Sequence, residues 1–469
     1  MSSGISTRRA FLQTVPVVGL GAAPRKKPNI VWIMADDLGW GDVGCYGQKQ
    51  IRTPHIDRMA NEGLRFTDAY AGCTVCAPSR SVLMTGLHTG HTSVRSNPGG
   101  VPLLESDVTV AEVLKGAGYT NGIFGKWGLG DIGTVTAMKK GFDTHVGFLH
   151  QAHAHFQYPR FIYEDDRELP LEGNGDNSFK TYANDVFVEK GLAFIRENKD
   201  RPFFAYFALT IPHFAPQVPE DSMAEYRGKF PEGAPFRPPN GRLPEQRELR
   251  TAFAGMVSRM DRYAGRILAL LKELGLERDT IVFFTSDNGG IRAGENYFNS
   301  TGPYRGQKGN LYEGGLRVPM VVRWPGQVPA GRTSAFAWSF QDFLPTAAEL
   351  AGVKAPACDG ISVLPALLGK KQKPHTQLYW EFPRYIAKTG TFAEEIPVQA
   401  MRRGDWKAVR PKAGGAIELY NLKSDPGETK DVAAGQASLV AEFDKAMRAA
   451  HQHPRPQREP AHRWWDVRS

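Results

Sequence analysis

Asn29-Ile30-Val31-Trp32-Ile33-Met34, followed at once by Ala35-Asp36-Asp37, is the stretch on which the fold turns. A continuous apolar run with Val and Ile and no polar alternation reads as a strand buried on both faces. Pro202 to Ile211 and Thr280 to Thr285 read the same way, and Leu64 to Tyr70 and Tyr119 to Gly125 add further strands. Helical periods lie between them: Thr53 to Glu62, a stretch from Pro78, a capped helix at Asp107 to Lys115 closed by Gly116 and Gly118, and a long pattern from Glu245 to Leu274. Fully apolar strands joined by helices predict an α/β fold, a large, mostly parallel central sheet flanked by helices. Residues 213–243 and 289–315, rich in Pro and Gly or Gly and Asn, read as long functional loops.

Near residue 374 the pattern changes to short β-like runs, Gln377 to Glu381, Pro397 to Arg402, Trp406 to Arg410 and Ile417 to Asn421, then a helix from about Gln436 to Ala450. This predicts a small antiparallel sheet with one helix. The expected organisation is a leader at 1–25, a catalytic α/β domain at 26–373 and a C-terminal α+β subdomain at 374–469.

The leader rests on Thr7-Arg8-Arg9-Ala10-Phe11-Leu12, two arginines directly before an apolar stretch that runs to Ala23. That stretch, about 13 residues, is too short to span a bilayer, so no membrane anchor is expected. It resembles a twin-arginine export signal, which implies an exported, periplasmic or extracellular protein. The 41% hydrophobic and 11% aromatic composition of the whole 469-residue chain suits a large core. Net charge is +9, about +7 once Arg8 and Arg9 are set aside. No arginine-rich tract, zinc finger or aromatic RNA-binding signature accompanies it, so nucleic acid is not an expected partner. Four cysteines (Cys45, Cys73, Cys76, Cys358) are too few for a disulfide scaffold, and the single Cys73-x-x-Cys76 spacing lacks the second pair of a zinc site.

Asp36 and Asp37 end the first strand, and Asp287-Asn288 follow the strand Ile281-Val282-Phe283-Phe284-Thr285. Strands of a parallel sheet share their carboxyl edge, where sites assemble. Three carboxylates and an amide carbonyl brought together there suit a hard cation, Ca²⁺ or Mg²⁺. Either pair alone also reads as loop or helix caps.

The run Cys76-Ala77-Pro78-Ser79-Arg80-Ser81-Val82-Leu83-Met84-Thr85-Gly86 meets every fixed position of the sulfatase signature and resembles that family, with its alkaline-phosphatase-like fold. The resemblance implies that a formylglycine-generating enzyme oxidises Cys76 to formylglycine (3-oxoalanine), whose hydrate is the nucleophile. Pro78 suits the first turn of a helix, which leaves Cys76 at a helix N-terminus that welcomes an anion. Arg80 can orient the hydrate and neutralise charge. Further segments resemble the family in order: Gly125-Lys126-Trp127-Gly128-Leu129-Gly130 and Gly306-Gln307-Lys308-Gly309 carry the sulfate-binding lysines, and Ile211-Pro212-His213-Phe214-Ala215-Pro216 the histidine at the ester. Ser286-Asp287-Asn288-Gly289 is the second metal motif, completing the set Asp36, Asp37, Cys76, Asp287 and Asn288 at the metal.

One position departs from the family: two residues after Lys126 a histidine is usual, and here stands Gly128. The group that helps release sulfate is then a histidine elsewhere, such as His153 or His155 in the loop His150 to His155, a water, or no specific group. The resemblance implies a sulfuric ester hydrolase acting on sulfated carbohydrates or aryl sulfates. Lys126, His213, Lys308, His153 and His155 would contact substrate, and His213 or Lys308 would protonate the leaving alcohol. Two other readings fit: a phosphonate monoester or phosphodiester hydrolase of the same superfamily, and a silent glycan-binding relative, suggested by Gly128.

Overall fold

The computed structural model describes Met1 and residues 27–97, 101–175, 178–237, 245–291, 296–386 and 388–455. Arg8 and Arg9 lie outside the described residues. The opening apolar run is the strand Asn29–Asp36, buried at every position. Its side chains alternate between two cores: Ile30, Trp32 and Met34 enter one, Val31, Ile33 and Ala35 the other. A strand covered on both faces has no need of polar alternation, which is why the run is continuous.

That strand is near the centre of a ten-stranded sheet ordered Arg332–Ser334, Leu64–Phe66, Met320–Arg323, Thr280–Ser286, Asn29–Asp36, Phe203–Pro212, Thr120–Lys126, Thr144–Phe148, Phe161–Glu164, Arg167–Pro170. The five strands from Thr280–Ser286 to Thr144–Phe148 are parallel, while Met320–Arg323 and the Phe161–Glu164 hairpin run antiparallel at the flanks. Helices Cys76–Thr85, Val110–Gly116 and Phe343–Leu350 pack on one face, and Pro54–Asn61, Ala183–Glu197 and Leu249–Glu273 on the other. Among the described residues no helix is long and apolar enough to cross a membrane.

Two expectations need correction. Leu64 to Tyr70 is not one strand: Leu64–Phe66 joins the large sheet, whereas Ala69–Tyr70 pairs with Trp338–Ser339. The chain turns between them, where Arg317 donates to the Thr67 carbonyl and the Asp68 carboxylate. The helix expected from Asp107 starts at Val110, because Thr109 and Glu112 form a reciprocal capping box.

The C-terminal layer is an antiparallel sheet, Leu378–Phe382, Val398–Arg403, Trp406–Arg410, Glu418–Asn421, with the helix Ala437–Ala450 on one face through Phe443 and Met447. Its other face meets Tyr70, Leu311 and Leu316. Across that junction Lys407, fully buried, lies 2.9 Å from both Glu313 and Glu428. All four cysteines are free thiols.

Candidate active site

Register decides what meets at the carboxyl edge. Ala35 is opposite Ser286 on one side and Asp36 opposite Pro212 on the other, with a bulge between Met34 and Asp36. Gly125 stands opposite Ala208, which puts Lys126 at the same edge. Asp36, Asp37, Lys126, His213, Asp287 and Asn288 therefore leave neighbouring strands together, although up to 252 positions separate them in sequence. Asp37 adopts φ +66°, the left-handed conformation that Asp tolerates better than most residues, and it turns the chain away from the sheet.

Above this edge the helix Cys76–Thr85 begins with Cys76 and is buried throughout. Ser79 fixes it, accepting from the Gly72 N–H at 3.0 Å and donating to the Asp287 carbonyl. Asn97 Oδ1 accepts the Ala77 N–H at 3.1 Å. The Cys76 thiol lies 3.3 Å from Asp36 Oδ1 and 3.6 Å from Lys308 Nζ. Arg80 grips Asp287 Oδ2 with Nε at 3.1 Å and Nη2 at 2.8 Å, and its Nη1 donates to the Lys126 carbonyl at 2.9 Å. Lys126 reaches Asp36 and Lys308 reaches Asp37, each at 2.7 Å.

Three carboxylates thus face three cationic side chains in a buried pocket. Burial works to raise Asp36, yet Lys126, His213, Arg80 and Lys308 together hold it well below the usual carboxylate range. Asp287 goes the other way, pushed up by burial and then by the charge of Asp36. Burial, followed by Asp287 and Asp36, raises the Cys76 thiol, so the unmodified residue is a poor thiolate. His213 is pushed down to about 3 by burial and then by Lys308.

The donor set fits a hard cation. Asn288 Nδ2 donates to Asp37 at 2.8 Å, which leaves Asn288 Oδ1 buried without a hydrogen-bond partner, an acceptor a cation would satisfy. His213 Nδ1 donates to the Phe214 carbonyl at 2.6 Å, so its unprotonated Nε2 faces Asp37 Oδ2 at 3.3 Å. Two acceptors set against each other favour a positive charge nearby. Asp36, Asp37, Cys76 and His213 can bring one ligand atom each within 4.8 Å of the others.

The nine residues Asp36, Asp37, Cys76, Arg80, Lys126, His213, Asp287, Asn288 and Lys308 are thus one cluster. His155 joins its edge, stacked on the His213 ring at 4.6 Å. Burial, then His213 and Lys126, keep its pKa well below the usual histidine range. His153, expected beside His155, is 4% exposed and set among Phe148, Phe161 and Tyr163, at 4.9, 4.7 and 6.3 Å. Two residues carried no motif signal. Asn97 anchors the helix start, and Gln151 donates to the Gly128 carbonyl at 3.0 Å. Gly128 has φ +71°, and a Cβ there would lie 2.3 Å from Gln151 Nε2, so Gln151 takes the space that a side chain at 128 would need.

Known proteins resemble this chain in sequence and in fold. The Sulfatase family model matches residues 28–353, and the model "N-sulphoglucosamine sulphohydrolase, C-terminal" matches 306–453. The chain is 32% identical to arylsulfatase A of Homo sapiens, over 91% of this chain and 88% of the human one. It is 33% identical to N-acetylgalactosamine-6-sulfatase of Rattus norvegicus, over 78% and 71% of the two chains. The crystal structure of Ps i-CgsB in complex with k-i-k-neocarrahexaose superposes with a TM-score of 0.77 at 28% identity, covering 94% of this chain and 97% of the other. With these matches spanning the sheet, the helix of Cys76 and the C-terminal layer, the chain belongs to the sulfatase family.

Proposed function

We propose that this sulfatase removes sulfate from carbohydrates, using residue 76 as formylglycine and a calcium ion held by Asp36, Asp37, Asp287 and Asn288. The observation that carries the reading is the position of Cys76, first residue of a buried helix, between Asp36 and Lys308. Oxidised to an aldehyde and hydrated, residue 76 supplies one hydroxyl to attack sulfur and a second that lets sulfate leave without attack by water. A calcium ion held there would supply positive charge to the sulfate.

The chain's own side chains do the rest. Arg80 is clamped by Asp287 and by the Lys126 carbonyl, so its charge is fixed before substrate arrives. Lys126, buried on Asp36, and Lys308, partly buried beside residue 76, add two ammonium groups. Lys308, paired with Asp37, is the protonated group placed to deliver a proton to the departing oxygen, while the unprotonated Nε2 of His213 lies on the same carboxylate. His155, stacked on His213, holds that ring in place and is the histidine we assign to offset the missing side chain at 128. Magnesium is the alternative ion. The relatives named for N-acetylgalactosamine-6-sulfate and bound to a carrageenan oligosaccharide support a sulfated sugar as substrate. Export by the twin-arginine route rests on Arg8 and Arg9, and maturation requires a formylglycine-generating partner.

Mass spectrometry of the peptide containing residue 76, after expression with a maturing enzyme, is expected to show the aldehyde. Released sulfate should depend on it and vanish in Cys76→Ala. Faster turnover of an aryl phosphonate than of the matched aryl sulfate would overturn the substrate assignment.

A further inference from the structure

Beside the catalytic cluster lies a second cavity, of about 880 Å³, between the catalytic domain and the C-terminal layer. Two of its lining residues tie it to the reacting centre. Asn97 holds the N–H of Ala77, the residue after Cys76, and Gly309 follows Lys308. The opening thus adjoins the helix start that carries residue 76 and the loop that carries Lys308. The volume is in the upper part of the range for small-molecule sites.

The lining sorts by chemistry. Phe382 and Tyr385 give half-buried aromatic surface, to which the C–H face of a sugar ring can pack. Because Asn97 Oδ1 is used by Ala77, its NH₂ remains as a donor without a partner among the described residues. Of the two cations, Arg384 is neutralised by Glu394, which accepts from its Nε and from its backbone N–H, both at 3.0 Å. Lys412 is different: it is exposed at the rim and its ammonium has no partner among the described residues.

We propose that this cavity is the subsite for the sugar next to the sulfated ring, and that Lys412 selects a sugar carrying a second anionic group, carboxylate or sulfate. The inference rests on the sulfatase reading and deepens it by naming the substrate class: an acidic oligosaccharide in preference to a neutral one. Asn97 donates to the linking region, Phe382 and Tyr385 hold the ring, and Lys412 meets the charge. The C-terminal layer, which supplies all but Asn97 among these four, sets specificity without touching the sulfur chemistry.

The test uses the matured full-length enzyme, with p-nitrophenyl sulfate as a probe too small to fill the cavity. Beside it runs a panel of sulfated disaccharides, each in three forms whose neighbouring sugar is neutral, carries a carboxylate or carries a second sulfate. The acidic forms are expected to show the lower KM. Lys412→Ala should raise KM for them about tenfold, as loss of a charged hydrogen bond does. It should leave the neutral form and p-nitrophenyl sulfate within twofold. Tyr385→Ala should raise KM for all disaccharides and spare the aryl sulfate. A preference for the carboxylate or the sulfate form tells which anion is meant. Full aryl sulfate turnover with no change in acidic preference in Lys412→Ala overturns the subsite alone. No hydrolysis of any sulfate by the matured enzyme overturns the catalytic reading and the subsite with it.

Discussion

Adding a side chain at residue 128, where the family usually carries histidine, should destabilise this protein, and the cost can be worked from the structure. Gly128 sits at φ +71°, and an L-residue there costs roughly 1–2 kcal/mol. Its Cβ would lie 2.3 Å from Gln151 Nε2, so the buried Gln151 must move and give up its bond to the Gly128 carbonyl, a further ~0.5–1.5 kcal/mol. Gly128→Ala should therefore lose about 1.5–3.5 kcal/mol. With an unfolding entropy of about 2 cal/mol/K per residue, that is a fall of roughly 1.5–3.5 °C in Tm for a chain of this length. Placing Ala at 151 as well removes the collision and leaves the backbone term. In a double-mutant cycle read by thermal denaturation, Gly128→Ala should cost about 1 kcal/mol less in the Gln151→Ala background than alone. Gly128→His should behave like Gly128→Ala or worse and recover no activity without space at 151. A neutral Gly128→Ala, or a cycle with no coupling, would refute the reasoning.

Added calcium should raise Tm, by about 2.7 kcal/mol of stability at a hundredfold excess over Kd, and the gain should be lost in Asn288→Ala; equal stabilisation of that variant would sink the ligand assignment. Lys407→Ala strands Glu313 and Glu428 in the buried junction and should cost about 3–5 kcal/mol, whereas a denaturation midpoint unchanged from wild type would mean the ion pairs contribute nothing. Asp42 is pushed up to about 7 by burial, which outweighs the hydrogen bond from the Gly39 N–H. Its folded pKa thus exceeds the unfolded value, so the folded state binds the extra proton and stability falls as pH rises from about 4 to about 7. Asp42→Asn keeps an acceptor for the Gly39 N–H and should flatten that slope in melts at pH 5 and 8, an effect absent if the carboxyl ionises normally.

The sequence by itself determined the central strands and pointed to the residues proposed to react. Apolar runs such as Asn29 to Met34 are legible because burial on both faces imposes one composition on consecutive positions. The signature from Cys76 to Gly86 is legible because helix start, nucleophile and Arg80 are neighbours in the chain. Features that depend on partners far away in sequence were not. The antiparallel strand Met320–Arg323, the split at Thr67 and Asp68, and the burial of His153 among aromatic rings follow from long-range pairing and packing, which local pattern does not encode. Only the tertiary structure decided that Arg80 grips Asp287, that Asn288 Oδ1 waits without a partner, and that Gln151 fills the space beside Gly128. These are contacts between separate strands and loops, and the register of the sheet, not the spacing of the chain, sets their distances.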